Sequence, residues 1–352
     1  MFLYSNKIVQ NDIDEIINKR YIYFEKLKDK TVLITGANGM LAYYFACVLM
    51  HLNFKKKLNI KVIAAVRNLE KAKKKYSGFL DNNNFKLIKQ DVCNPINIEE
   101  KINFILHAAS TASPYFIKND PVGIIKANTI GMINVLELAR HNKIDNVLFT
   151  STREVYGKIS DLELIKENDM GILDPLDSRS CYPESKRIAE QICKSYYLQY
   201  NIPFTIARIA HSYGPGMEIN KDGRVMSDFI SDIVNNRNII LKSDGKAVRA
   251  FCYISDAVSA LFLILLNGKI GEVYNVANET EPIEIREIAQ QLVGLEQKKK
   301  LKVIFELENN TGLYCKYKRV GLSTKKIEDL GWNIAINLKE GLERTLKSFN
   351  EV

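Results

Sequence analysis

The chain has 352 residues, 46% hydrophobic and 26% charged, with 18 glycines and 8 prolines, a balance that excludes collagen-like, low-complexity and intrinsically disordered classes. Its formal charge is +9, yet the lysine runs at 55–57, 73–75 and 298–300 lie apart and without interleaved aromatics, so solvated lysine-rich turns are expected and a nucleic-acid partner is not. The longest nearly uncharged apolar stretches, 41–52 and 257–266, fall short of the roughly 18 to 20 residues a bilayer crossing needs, and the N-terminus lacks a leader's basic start, so no membrane partner and a cytoplasmic location are expected.

In chain order, Ile13, Ile16, Ile17, Tyr21 and Phe24 recur at helical spacing after possible caps at Asn11 and Asp12, which predicts an N-terminal helical extension over residues 1–30. From Thr31 short β-rich runs appear at 31–35, 61–66, 85–89, 104–107, 147–151 and 204–208. Helical stretches near 39–52, 121–142 and 182–200 alternate with them. This order predicts an α/β fold, a doubly wound parallel sheet over 31–210 with its ligand site at the carboxyl ends of the strands. Beyond residue 210 the alternation loosens around the turn Tyr213-Gly214-Pro215-Gly216. Helices near 225–235, 255–267, 283–293 and 337–349 then predict a smaller, partly discontinuous substrate lobe over 211–352. Six cysteines without a CxxC pair and four histidines without ligand spacing point to reduced thiols and no metal site.

The run from Val32 to Ala42 reads strand, glycine turn, helix. Gly36 permits the tight turn, Gly39 opens the approach to the backbone amides, and Ala42 allows close helix packing, so Gly36, Asn38, Gly39 and Met40 are expected to hold the pyrophosphate of a dinucleotide at a helix N-terminus. At the end of the second strand, where NAD binders carry an acidic residue, stands Arg67. A guanidinium pairs with a 2′-phosphate, so the expected cofactor is NAD(P), leaning to NADP. Asp91 and Val92, ending the third strand, are expected near the adenine.

Tyr182 and Lys186 lie four apart at the start of a helix and so share a face. A nearby ammonium and a positively charged nicotinamide lower a phenol's pKa from about 10, making Tyr182 a candidate general base. Tyr314 and Lys318 have the same spacing without a cofactor signal, so spacing alone is not specific. What singles out the first pair is Thr152, in the strand-end run Phe149 to Gly157, whose hydroxyl is placed to bond the substrate oxygen.

With these motifs in this order, residues 30–348 resemble the extended short-chain dehydrogenase/reductases, specifically the NAD(P)-dependent epimerase/dehydratase family of nucleotide-sugar enzymes. Within it the chain is most similar to UDP-glucuronate decarboxylases and dTDP-glucose 4,6-dehydratases, through Ala112-Ser113-Pro114, Asp222 to Val225 and Glu154. The resemblance implies a catalytic triad of Thr152, Tyr182 and Lys186, with Glu154 acting at sugar C5. It implies Ala108, Ala109 and Ser110 beside the nicotinamide, and Asn128 on the supporting helix. It further implies Ser113, Arg249 and Arg319 at the substrate, and a homodimer pairing helices 121–142 and 182–200, with Ile130, Ile133, Leu136, Ile188, Ile192 and Tyr196 shared between core and interface.

Two departures bear on the outcome. Arg153 stands where dehydratases carry the Asp that protonates the leaving C6 hydroxyl; a guanidinium is a poor proton donor but suits a C6 carboxylate. His211 replaces a common Asn, and Gly216 a common Arg of the decarboxylases. The expected reaction is oxidation of the sugar C4 hydroxyl to a 4-keto intermediate, leading to epimerisation or decarboxylation of a nucleotide-linked hexose or hexuronate. The alternatives are a 4,6-dehydratase and a non-catalytic NAD(P)-binding sensor.

Overall fold

The computed structural model describes residues 2–159, 162–219, 222–306 and 320–350. Helix α1 (Lys7–Ile17) opens the chain, followed by β1 (Thr31–Thr35), α2 (Met40–Lys56), β2 (Lys61–Val66), α3 (Leu69–Lys75), β3 (Phe85–Lys89) and β4 (Phe104–His107). Then come α4 (Pro121–Asn128), α5 (Ile130–Asn142), β5 (Asn146–Thr152), α6 (Cys181–Tyr200), β6 (Phe204–Ile209), α7 (Ile254–Asn267), β7 (Val273–Val276) and α8 (Leu338–Asn350).

The seven strands form one parallel sheet in the order β7-β6-β5-β4-β1-β2-β3. Side chains alternate across it as the period of two requires. Val32, Ile34, Val62, Ala64 and Leu106 enter the core under α2 and α7. Leu33, Ile63, Ala65 and Ile105 enter the core under α5 and α6. On the first face Phe45 and Phe262 stack at 3.8 Å between ring centroids, and burying each ring contributes roughly 2–3 kcal/mol. The order reverses between β1 and β4, and the crevice outside their carboxyl ends is where such a sheet binds ligands.

The six expected strands are present, and a seventh comes from beyond residue 210. Residues 254–276 return to the sheet as α7 and β7, while Val225–Val234, Ile285–Leu295 and α8 share the α2-side core. One hydrophobic core thus runs through both lobes.

The N-terminal helix differs from expectation. It starts at Lys7, where the Asn6 side chain accepts from the amides of Ile8 and Val9, and it ends at Ile17. Asn11 and Asp12 therefore lie inside the helix. Asp12 is fully buried and accepts from Tyr44 Oη (2.7 Å), Tyr253 Oη (2.8 Å) and Arg344 Nη1 (2.6 Å). Phe24 belongs to a separate 3-10 turn, Phe24–Leu27.

The reading of apolar stretches is incomplete, because α4 and α5 together, Pro121–Asn142, are long and apolar enough to cross a membrane by length and composition alone. Scanning for uncharged runs missed this segment because Lys126 and Glu137 interrupt it. Here Met132, Val135, Leu136 and Ala139 of α5 pack onto the sheet.

Candidate active site

The phosphate turn follows β1 directly. Gly36 has φ +66°, and a Cβ there would lie 2.6 Å from the Ala108 carbonyl oxygen and 2.7 Å from Ala109 Cα. The first glycine therefore touches the backbone leaving β4, at the point where the sheet order reverses. Gly39 caps α2 with an ordinary φ of −67°, and its amide bonds the Gly36 oxygen at 2.9 Å. Met40 begins α2, and Ala42 is buried beneath it.

Asn38 Nδ2 donates to the Asn68 carbonyl at 3.1 Å, and Lys75 Nζ donates to the Asn38 carbonyl at 2.8 Å. Burial pushes the Lys75 ammonium down to about 8. Two buried atoms on this edge, Asn38 Oδ1 and Ser110 Oγ, have no hydrogen-bond partner among the described residues. A glycine cradle with unpartnered polar atoms beside it fits a dinucleotide backbone.

Arg67 leaves the end of β2 exposed, with no hydrogen bond or ion pair holding its guanidinium among the described residues; burial, then Asp91, pushes the nearby Cys93 thiol up, and the Arg67 charge offsets part of that rise. Asp91 Oδ1 accepts the Cys93 amide at 2.9 Å, and the buried Val92 carbonyl accepts from Asn134 Nδ2 at 2.8 Å. On the other side of the crevice His107 is fully buried and bonds Thr35 Oγ1 at 2.7 Å. Burial, then the Lys186 charge, pushes it down to about 3, so it is neutral.

Thr152, Tyr182 and Lys186 converge. Thr152 ends β5 and its Oγ1 accepts the Glu154 amide at 3.2 Å, with its side chain near the Tyr182 hydroxyl. Tyr182 and Lys186 are buried in the first turns of α6, and Lys186 Nζ donates to the Thr150 carbonyl at 2.7 Å. Burial pushes Lys186 down to about 7.

The tuning of Tyr182 runs against the spacing argument. Burial, then the Glu154 carboxylate, pushes its phenol well above the usual value, while the Thr152 hydrogen bond and Arg224 oppose that rise. Lys186 Nζ sits 6.0 Å from the Tyr182 ring centroid and is directed at a carbonyl instead. The neighbouring ammonium alone therefore does not produce a phenolate.

Glu154 lies in the 3-10 turn Arg153–Tyr156 with its side chain 40% exposed. Burial pushes its carboxyl up, and the guanidinia of Arg179, Arg153 and Arg249 pull it back. Arg179 Nη2 is 3.9 Å from Glu154 Oε2. Arg153 Nη2 donates to the Val320 carbonyl at 3.1 Å, and Arg249 Nη1 to the Val248 carbonyl at 2.8 Å. Ser113 Oγ donates to the Asp222 carbonyl at 2.6 Å, tying the loop after β4 to the C-terminal lobe. His211 is exposed beside Phe251, with rings 5.7 Å apart. Arg319 lies outside the described residues. Asn128 is buried and donates to Ser185 Oγ at 2.9 Å. Among the described residues no group of three His, Cys, Asp or Glu side chains is placed to hold a metal ion.

Sequence reasoning missed Arg179, whose signal was an arginine one helical turn before Tyr182. It also missed the buried Glu190–Arg208 pair, whose members stand four residues after Lys186 on α6 and one residue before the end of β6.

A glycine turn at the reversal of a parallel sheet, facing a Thr, Tyr and Lys cluster, defines a dinucleotide-binding enzyme of the extended short-chain dehydrogenase/reductase type. Residues 32–277 match the NAD dependent epimerase/dehydratase family, to which the chain belongs. It is 34% identical to UDP-glucuronic acid decarboxylase 6 of Arabidopsis thaliana over 313 residues, covering 88% of this chain and 86% of the relative. It is 31% identical to UDP-glucuronic acid decarboxylase 1 of Xenopus tropicalis over 349 residues, 97% of this chain and 78% of the relative. Among solved structures, an epimerase from Methanothermobacter thermautotrophicus superposes with a TM-score of 0.79 at 20% identity, covering 98% of this chain and 96% of that one. UDP-glucuronic acid 4-epimerase from Bacillus cereus, in complex with UDP-glucuronic acid and NAD, gives 0.75 at 21%, covering 91% and 99%. These likenesses share the fold.

Proposed function

We propose that this nucleotide-sugar-modifying, NAD(P)-dependent enzyme oxidises the C4 hydroxyl of a nucleotide-linked hexuronate and releases its C6 carboxyl group as carbon dioxide. The observation that carries this reading is Arg179 Nη2 at 3.9 Å from Glu154 Oε2, with the guanidinia of Arg153 and Arg249 near enough to act on the same carboxyl. Guanidinia converging on a cleft recognise a carboxylate. The decarboxylase relatives, aligned over most of the chain, support the same substrate class and outcome.

In this reading Gly36, Asn38, Gly39 and Met40 hold the dinucleotide's pyrophosphate, and Ala108, Ala109 and Ser110 flank its nicotinamide. When bound, the dinucleotide supplies the hydride acceptor and donor and, oxidised, a positive charge near Tyr182. Tyr182 Oη removes the proton of the sugar C4 hydroxyl, whose oxygen Thr152 orients. Lys186 holds the ribose. Once C4 is a carbonyl, the C6 carboxylate is β to it. The C5–C6 bond then breaks, its electron pair enters the C4–C5 enolate, and a proton delivered to C5 completes the step. In this proposal Glu154, beside Thr152 and Tyr182 in the turn after β5, carries that proton. Ser113, His211 and Arg319 complete the substrate contacts in this proposal.

A second reading, epimerisation with C6 retained, draws on the same guanidinia, since an ion-paired carboxylate resists losing carbon dioxide. Incubating the protein with UDP-glucuronate and recording the NMR spectrum of the product separates them: loss of C6 is expected, a retained C6 with inverted C4 or C5 favours the second reading, and no turnover of any nucleotide-linked hexuronate refutes both.

Two further features belong to this proposal. Arg67, exposed where an acidic residue would read NAD, selects NADP by pairing with its 2′-phosphate. The exposed apolar residues of α4 to α6, Val122, Ile125, Ile130, Ile133 and Ile188, form a homodimer interface, while Leu136 belongs to the core.

A further inference from the structure

The strand end bearing Thr152 and the helix bearing Tyr182 and Lys186 meet through one buried carboxylate. Glu190 stands four residues after Lys186, on the same face of α6. It accepts from Ser151 Oγ at 2.5 Å, and Ser151 immediately precedes Thr152. Arg208 on β6 grips the carboxylate through Nε (3.0 and 3.2 Å) and Nη2 (2.6 Å), with the two side chains 3% and 11% exposed. Arg208 also lies over the Tyr156 ring at 4.7 Å and donates Nη1 to the Glu167 carbonyl at 2.8 Å. Tyr156 closes the short turn that carries Glu154.

A buried ion pair is a weak source of stability, because desolvating two charges offsets most of their attraction. Apolar side chains of similar size would pack as well here. What they would not provide is a negative charge one turn from a buried ammonium. We propose that Glu190, clamped by Arg208 and Ser151, is a positioning residue that keeps the Lys186 ammonium charged and fixes the Thr152 end of β5 against Tyr182. The proposal rests on the reading of Thr152, Tyr182 and Lys186 as the reactive group.

The surroundings of Lys186 leave this task to Glu190. From β5 it meets the Thr150 carbonyl and the Phe149 ring, 4.4 Å away. From β4 it faces His107, neutral and fully buried, and on its own helix it has Tyr182, Glu190 and Cys193. Arg208, on β6, is turned to Glu190. Burial pushes Lys186 down to about 7, and Glu190 is the first group pulling it back up.

The test titrates Lys186 directly by carbon-13 NMR in protein labelled at lysine Cε, its signal assigned by its loss in Lys186→Met. Glu190→Gln is expected to lower the Lys186 midpoint by at least about one pH unit, tenfold in the protonation equilibrium. With UDP-glucuronate as substrate, the pH above which kcat falls should move down in parallel while KM changes little. Ser151→Ala, which keeps the charge, should lower kcat at least about threefold and leave the midpoint in place. Should Glu190→Gln fail to fold with Arg208 unpaired, Glu190→Gln/Arg208→Gln leaves no lone buried charge, and its midpoint should still fall, by less than in Glu190→Gln because the more distant Arg208 charge is removed too. A midpoint unchanged within about 0.3 unit in a folded Glu190 variant overturns the electrostatic role, and a Ser151→Ala kcat equal to the parent's overturns the geometric one. The titration needs no substrate, so it is decided independently of whether any hexuronate turns over.

Discussion

Replacing Gly36 with alanine tests the position of the dinucleotide site, because the structure makes this position intolerant for two separable reasons. At φ +66° an L-residue costs about 1–2 kcal/mol. Its Cβ would also stand 2.6 to 2.8 Å from three backbone atoms of Ala108 and Ala109. Backbone cannot escape by changing rotamer, so the turn after β1 or the loop after β4 must move, adding about 1–3 kcal/mol. The sum, about 2–5 kcal/mol, should lower Tm by about 3–7 °C in a chain of this length. Since the displaced atoms form both walls of the crevice, dinucleotide affinity measured by calorimetric titration should fall at least about tenfold. Gly39→Ala is the control. Its φ of −67° suits any residue, and its Cβ would meet the Gly36 oxygen at 3.3 Å, so stability should change by no more than about 1 kcal/mol while affinity still falls. Equal melting losses in the two variants, or parental affinity in Gly36→Ala, would refute the reasoning.

Tyr182→Phe should lower turnover by about a hundredfold or more with dinucleotide binding and Tm retained, as steady-state kinetics and calorimetry would show; near-parental turnover would remove Tyr182 from the chemistry. Because Lys186 is pushed down to about 7 from an ordinary 10.5, the unfolded chain binds its proton in the window between, so stability contributed by this group rises with pH there. Relative to Lys186→Met, dinucleotide-free parent protein should lose about 1.4 kcal/mol for each pH unit between about 10 and 7 and no more below it, measured by urea denaturation; a flat difference contradicts the assignment. Arg67→Asp should reverse dinucleotide preference by about 1–3 kcal/mol, and the dinucleotide extracted from freshly purified parent protein should be mainly NADP. Mainly NAD would mean that Arg67 serves solvent. Ile133→Asp should convert a dimer to a monomer by light scattering, and a monomeric parent would contradict the interface.

The elements that build the cofactor crevice were legible because local chemistry dictates them. A parallel strand buried on both faces must be a short apolar run, so β1, β2, β4, β5 and β6 stand out within polar surroundings. β7 did not, since Val273–Val276 is four residues long and includes Tyr274 and Asn275, whose membership depends on pairing with β6 and on Tyr156 donating to Asn275. The N-terminal helix was legible as a helix but not in its bounds. Asp12 looked like a cap because aspartates at helix starts usually are; its partners Tyr44, Tyr253 and Arg344 are separated from it by 32, 241 and 332 residues.

Within the site the same division holds and explains which residues sequence reading reaches. Tyr182, Lys186 and Thr152 announce themselves through residue type and spacing along one helix and one strand end. Arg179, Glu190 and Arg208 act by charge across elements, and any element facing the cleft could have supplied those charges. Their placement follows from the fold: α6 crosses the ends of β5 and β6, which sets Glu190 against Ser151 and Arg208. It also swings the segment before α6 over the Glu154 turn, bringing Arg179 there. The cationic floor around Glu154 is therefore a property of the packed sheet, assembled from Arg153 on the turn after β5, Arg179 before α6 and Arg249 from the C-terminal lobe. The Tyr182–Lys186 pair can be read from one stretch of chain, whereas the guanidinia around Glu154 come together only in the folded chain.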